Sequence, residues 1–280
     1  MKLIEPTSVE AALSALAAEP EARPLAGGAT LVAMMNADLL APAALISLDR
    51  IDALTGITSQ ADGALRIGAM TRHATVAASP HFAAGQRVVS LAAGRIGHPA
   101  IRNMGTIGGS ICHADPSADY PTALVCAGAE VEIAGPDGTR RVPAAEFFLG
   151  YFETDLAPGE LVTAVIVPPA PAGSRAAYTK FTRADGDFAT VSVAMVLTPG
   201  GDGIDRLAVA IGGCAGAPVR VPEAEALLSG QPPDSARIAE AGRLLAAACD
   251  PMDDVRGSAA YRLRLVPRLF RRTLEELMEP

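Results

Sequence analysis

Two glycine pairs, each next to hydroxyl side chains, are the residues of this chain best placed to hold a ligand. Gly27-Gly28 lies in "LAGGATLV", and Gly108-Gly109 lies in "GTIGGSICHADPSAD", which runs from Gly105 to Asp119. Glycine lets backbone N–H groups converge on one concavity and lets an anion come close. Thr30, Thr106 and Ser110 add hydroxyl donors. Two such turns brought together suit a pyrophosphate, which has two negative charges and many acceptor oxygens. Taken singly, each reads more simply as a turn followed by a helix cap. Neither is a P-loop, because no Lys-Ser/Thr follows, and neither spells GxGxxG.

Asp115 and Asp119 follow the second pair. A carboxylate beside a phosphate cradle needs a partner other than phosphate, and a ribose hydroxyl is one such partner. The plainer alternative is that Asp115 closes a turn before Pro116 and Asp119 caps a helix over 120–127. His98 and His113 flank the turn without any Ser/His/Asp pattern. The four cysteines, Cys112, Cys126, Cys214 and Cys249, have no spacing that suits zinc or an iron–sulfur cluster. Cys112 reads as a small buried apolar residue. Redox chemistry here would therefore have to come from a bound organic cofactor.

The elements that must carry these turns are legible in part. Thr7 and Glu10 have capping-box spacing ahead of a helix that ends by Pro20. Pro24 to Ala26 suits a short buried strand, followed by the Gly27-Gly28 turn and a helix capped by Thr30. Strands are expected at 43–50 and after Asp62-Gly63. Thr71 is placed to cap a helix running to Ser79-Pro80, and a longer helix is expected over 81–96. After the second turn the pattern reads helix, strand, turn at Pro136-Asp137-Gly138, and strand. A further strand covers 160–169. "PPAPAGS" (168–174) suits a linker. Three strands follow it, with a turn at Gly200–Gly203, and then helices near 223–229, 234–248 and 258–278. Pro267 should kink the last helix. Arg262, Arg264, Arg268, Arg271 and Arg272 on that helix read as a solvated face.

The net charge of −8 disfavours a nucleic-acid backbone as partner. No apolar run is long enough for a membrane span. The start "MKLIEPTSVE" lacks the apolar core of a signal peptide, so a cytoplasmic location is expected.

"PLAGGATLVAMMN" and "RIGHPAIRNMGTIGGSICHADPSAD" resemble the two flavin-binding signatures of the FAD-binding medium subunits of molybdenum hydroxylases. That family includes the flavoprotein subunit of aerobic carbon monoxide dehydrogenase and the FAD domain of xanthine dehydrogenase. The resemblance continues through "EFFLGYFETDLAPGELVTAVIVP", "YTKFTRADGDFATVSVAMVL" and "DDVRGSAAYRLRL". It implies an α+β fold. Residues 1–175 would form a two-subdomain FAD-binding domain of the vanillyl-alcohol-oxidase (PCMH) type. Residues 176–280 would form a C-terminal domain with a three-stranded antiparallel sheet and a helical bundle.

By that resemblance, Ala26, Gly27, Gly28, Ala29, Thr30 and Leu31 would hold the pyrophosphate of a non-covalent FAD. Thr106, Ile107, Gly108, Gly109 and Ser110 would hold it from the other side. Asp119 would bond the adenosine ribose. Ile96, Lys180 and the backbone of Val162 would line the site, and Tyr178 to Asp187 would lie near the flavin. Family members often carry His at the place of Ala29 and Asn at the place of Ser110, so backbone contacts are expected to dominate there. The implied assembly is a dimer of heterotrimers with a large molybdopterin subunit and a small subunit bearing two [2Fe–2S] clusters. This chain would pass their electrons to an external acceptor. A stand-alone FAD-dependent oxidoreductase and a non-enzymatic nucleotide-binding module are the alternatives.

Overall fold

The computed structural model describes residues 1–201, 203–230 and 232–279. Its first unit is a small parallel sheet in the order β1 (Lys2–Ile4), β3 (Ala44–Ser47), β2 (Arg23–Leu25). Helix α1 (Val9–Ala18) covers it, with Ala12, Ile46, Ile51 and Leu54 at the core. The cap of α1 is Ser8, whose Oγ accepts from the Ala11 N–H at 3.2 Å, and not Thr7 as the spacing suggested. The Gly27-Gly28 turn leads from β2 into α2 (Leu31–Asn36). Thr30 is its N-cap residue, but the hydroxyl makes no capping bond.

The second unit is a five-stranded sheet in the order β4 (Ile57–Ser59), β5 (Leu65–Gly68), β10 (Leu161–Val167), β6 (Glu130–Gly135), β7 (Gly138–Pro143). Its helices are α3 (His73–Ala78), α4 (Arg87–Arg95), α5 (Pro99–Met104), α6 (Ile107–His113), α7 (Asp119–Ala127) and α8 (Ala144–Phe147). A two-stranded ribbon, β8 (Phe148–Gly150) with β9 (Glu153–Thr154), follows α8. Arg72, not Thr71, is the N-cap of α3. The Thr71 Oγ1 instead exchanges hydrogen bonds with the Gly56 N–H and carbonyl, at 2.9 and 3.0 Å. The helix expected over 81–96 forms only from Arg87, after a 3₁₀ turn at Ala84–Gln86.

The third unit is an antiparallel sheet of β11 (Arg175–Phe181), β12 (Val191–Gly200) and β13 (Gly203–Gly212). The turn residue Asp202 lies outside the described residues. Strand periodicity divides the two faces. Val191, Val193, Met195, Leu207, Val209 and Ile211 join a core with α10 (Ser235–Ala247) and α11 (Ala259–Met278), with α9 (Pro222–Ala226) alongside. Ala194, Ala208 and Ala210 face the other way and join the core of the second unit. Small side chains on that face let α7 lie close. A Cβ on Gly212 would stand 2.0 Å from the Thr122 Oγ1.

Helix α11 runs through Pro267 without a break. The proline faces Gly242 of α10, where a side chain would come within 3.0 Å of its ring. Arg262 is not on a solvated face. It is 2% exposed and donates to the Thr190 and Gly213 carbonyls at 2.6 and 2.7 Å, and to Asp254. Arg271 and Arg272 do lie in solvent, each paired four residues on with Glu275 and Glu276. Among the described residues, no helix is long and apolar enough to cross a membrane.

Candidate functional site

The fold brings the two glycine turns against each other. A Cβ on Gly27 would lie 1.9 Å from the Met104 carbonyl oxygen and 3.0 Å from the Gly105 Cα. A Cβ on Gly109 would lie 3.5 Å from the Ala26 Cβ. Gly28 holds φ at +77°, the left-handed region that glycine enters without steric cost.

Their backbones differ in what they offer a ligand. The N–H groups of Ala26, Gly27, Gly28, Ala29, Thr30 and Leu31 donate to no protein acceptor among the described residues. Backbone donors left without partners at a turn suit an anion. The second turn is different. Its Ile107 N–H donates to the Thr71 carbonyl at 3.0 Å, and its Gly108 N–H donates to the Ala69 carbonyl at 2.8 Å. The Gly109 N–H donates to the Thr106 Oγ1 at 3.2 Å, and the Ser110 N–H to the Thr106 carbonyl at 3.0 Å. The two turns therefore differ in the backbone donors they leave without protein partners among the described residues. The second turn is a capped helix start whose donors serve the fold.

Gly108 is buried, and a Cβ there would meet Ala69 at 2.6 Å. Its small size serves packing against the end of β5. Gly109 and Ser110 are half-buried, Gly109 facing Ala26 of the first turn, and the Ser110 hydroxyl has no partner among the described residues.

Ile96 ends α4 half-buried. Arg102 fixes that turn by donating to the Ile96 and Gly97 carbonyls at 2.9 and 2.8 Å. Val162 lies at a bulge in β10, its side chain in the large core, so only its backbone is left to face a ligand. Its neighbour Thr163 accepts from the Ala69 N–H at 2.9 Å, which joins β10 to the residue under Gly108.

Asp119 and Lys180 form an ion pair at 2.9 Å, with side chains 4% and 2% exposed. The other Asp119 oxygen accepts from the Tyr178 hydroxyl at 2.8 Å. Burial pushes the Asp119 carboxyl above the ordinary range, against the opposing pull of Lys180, Tyr178 and Arg95. Asp119 is not a helix cap, since Ala118 holds that place, and its side chain is buried. Asp115 does close its turn, accepting from the Ser117 N–H at 2.8 Å. Cys112 is exposed rather than a buried filler.

Two contributors have no site role in the sequence. His73 is buried behind the second turn. Its backbone N–H donates to the Gly105 carbonyl at 3.1 Å, and a Cβ on Gly105 would strike its ring at 2.5 Å. Its Nδ1 is unpartnered, as is the hydroxyl of Tyr120, whose ring centre is 5.3 Å away. Arg102 was visible only as one residue of a longer motif.

The first glycine turn thus packs on the end of α5, where the small parallel unit meets the unit of the five-stranded sheet. Residues 1–170 match the family described as the FAD binding domain in molybdopterin dehydrogenase. Residues 176–277 match the CO dehydrogenase flavoprotein C-terminal domain. The chain belongs to the FAD-binding medium subunits of the molybdenum hydroxylases, and FAD is its cofactor.

It is 34% identical to the nicotine 6-hydroxylase medium subunit of Paenarthrobacter nicotinovorans, over 99% of this chain and 96% of that one. It is 36% identical to the carbon monoxide dehydrogenase medium chain of Afipia carboxidovorans, over 91% and 88% respectively. A solved carbon monoxide dehydrogenase from Hydrogenophaga pseudoflava, which lacks the Mo-pyranopterin moiety of its cofactor, superposes with a TM-score of 0.95. The identity there is 34%, covering 99% of this chain and 96% of that chain.

Proposed function

We propose that this chain takes electrons from the [2Fe–2S] clusters of a small partner subunit and passes them to an external acceptor. In this reading, hydroxylation occurs on a large molybdopterin subunit, and the assembly is a cytoplasmic dimer of heterotrimers. The chain divides at 175/176 into a FAD-binding domain and a C-terminal domain. One observation carries the reading: the run of N–H groups from Ala26 to Leu31 without partners among the described residues, in a chain of this family, with Gly109 set against Ala26.

FAD, when bound, supplies the electron storage. The chain's own residues hold and orient it. The first turn offers the N–H groups for the pyrophosphate, with Thr30 and Ser110 adding hydroxyls. Ile96 and the Val162 backbone border the space between the units, and Lys180 closes it from the third sheet.

Purification from the native host under mild conditions tests the reading. The expected product is yellow, co-purifies with one larger and one smaller subunit, and yields free FAD to the supernatant on acid precipitation. Neither glycine turn holds a Cys or His that could tether a flavin. Flavin retained in the acid pellet would rule out non-covalent binding. A yellow chain that comes alone and turns over a substrate by itself would replace electron transfer with a stand-alone oxidoreductase.

Ser110 provides a smaller test. Its hydroxyl has no partner among the described residues, so Ser110→Ala should leave the melting temperature of the apoprotein unchanged. One lost hydrogen bond to the ligand should weaken FAD by roughly 0.5–1.5 kcal/mol, measured by fluorescence titration.

A further inference from the structure

We infer that Asp119 is a positioning residue, which fixes the Lys180 ammonium at the edge of the flavin site and docks the C-terminal sheet there, and not a ligand of the adenosine ribose. The inference rests on the flavin-site reading above and assigns Asp119 a different part in it.

Both carboxylate oxygens are already engaged by the third sheet. Oδ1 accepts from Tyr178 and Oδ2 from Lys180, residues two apart on β11 and so on one face of it. The Lys180 Nζ also donates to the Arg95 carbonyl at 3.0 Å. Arg95 is the last residue of α4 and Asp119 the first of α7. A cation at a helix C-terminus and an anion at a helix N-terminus each sit where the helix dipole favours them. A buried ion pair persists when such further bonds offset its desolvation, and removing one partner leaves an uncompensated charge.

The pair is also joined to the cradle. Arg95 precedes Ile96, Arg102 ties the Ile96–Gly97 turn to α5, and α5 ends at the Met104 carbonyl on which Gly27 packs. Loss of the Asp119 charge would release Lys180 and loosen this chain of contacts as a unit. Flavin occupancy and docking of the C-terminal sheet are then thermodynamically coupled.

The test is a double-mutant cycle on the full chain with Asp119→Asn, Lys180→Met and the pair together. FAD and FMN affinities and apoprotein melting are read for each. Asp119→Asn should weaken FAD and FMN by the same factor, roughly ten-fold. Added to Lys180→Met it should change neither affinity further, and the double variant should melt above either single variant. Tyr178→Phe, which keeps the ion pair, should give a weaker version of the same pattern if Asp119→Asn fails to fold.

The inference is overturned if Asp119→Asn weakens FAD alone, by a similar factor with and without Lys180, and leaves apoprotein melting untouched. That result would make Asp119 a direct contact of the adenosine half. If the wild-type chain binds neither flavin, it is the flavin-site reading that fails. The melting cycle then still decides whether the pair docks the sheet: recovery in the double variant supports it, and additive losses refute it.

Discussion

A Gly27→Ala variant is expected to lose FAD and a sizeable part of its folding stability together. The added methyl would stand 1.9 Å from the Met104 carbonyl oxygen and 2.8 Å from its carbon. Both are backbone atoms at the end of α5, so no side-chain rotation relieves the contact. The first turn must move off the second, and the unpartnered N–H groups move with it. Forcing volume into such a contact costs roughly 1–3 kcal/mol, and the displaced cradle should weaken FAD by about a hundred-fold.

Gly109→Ala provides the contrast. Gly109 lies within α6, where alanine is favoured over glycine by roughly 0.5–1 kcal/mol, and its nearest neighbour is the Thr106 Oγ1 at 3.1 Å. That variant should melt at or above wild type yet bind FAD more weakly, because its methyl enters the gap facing Ala26. Denaturant titration of both apoproteins, beside FAD titration, separates the two outcomes. If Gly27→Ala keeps wild-type affinity, the contact between the turns does not shape the cradle. If Gly109→Ala keeps it, the gap between the turns is not where the ligand lies.

The glycine pairs were legible because glycine punctuates a sequence, and the strands and helices around them because apolar periodicity is local. What each glycine does was not legible. Gly108 looked like a point of ligand approach and is a packing contact with Ala69, on a distant strand end. The second turn looked like a free cradle, but two of its donors, the Ile107 and Gly108 N–H groups, meet Thr71 and Ala69, residues outside its own motif. Asp119 was visible as a carboxylate near the turn. Its occupation was not, because its partners lie 59 and 61 residues further on, in the third sheet. Arg262 misled for the same reason: a helix-face argument cannot see carbonyls 72 and 49 residues away. The short strands β1 and β4, three residues each, give no periodic signal and exist only through their sheet partners. Long-range polar contacts between units are the part of this site that a linear reading does not reach.

His73, one of those unseen residues, should make the protein acid-labile. Its imidazole is 4% exposed, its Nδ1 has no partner, and Arg102 is the charged group nearest in effect. The Tyr120 ring and the Gly105 backbone also lie beside it, and neither carries a formal charge. Burial first, and the positive field of Arg102 second, push its pKa down from 6.5 to about 4. The unfolded chain therefore binds this proton more tightly than the folded one. The stability tied to a neutral His73 is fully present above the unfolded value near 6.5 and is lost as the pH falls through about 4. Between pH 7 and pH 4.5 that linkage amounts to roughly 2 kcal/mol.

His73→Phe removes the titration while keeping an aromatic ring beside Gly105 and Tyr120. Urea unfolding of both apoproteins at the two pH values should show the wild type losing roughly 2 kcal/mol more than the variant. Equal losses would mean that the folded protein binds the His73 proton as readily as the unfolded chain does, and that burial does not hold the imidazole neutral.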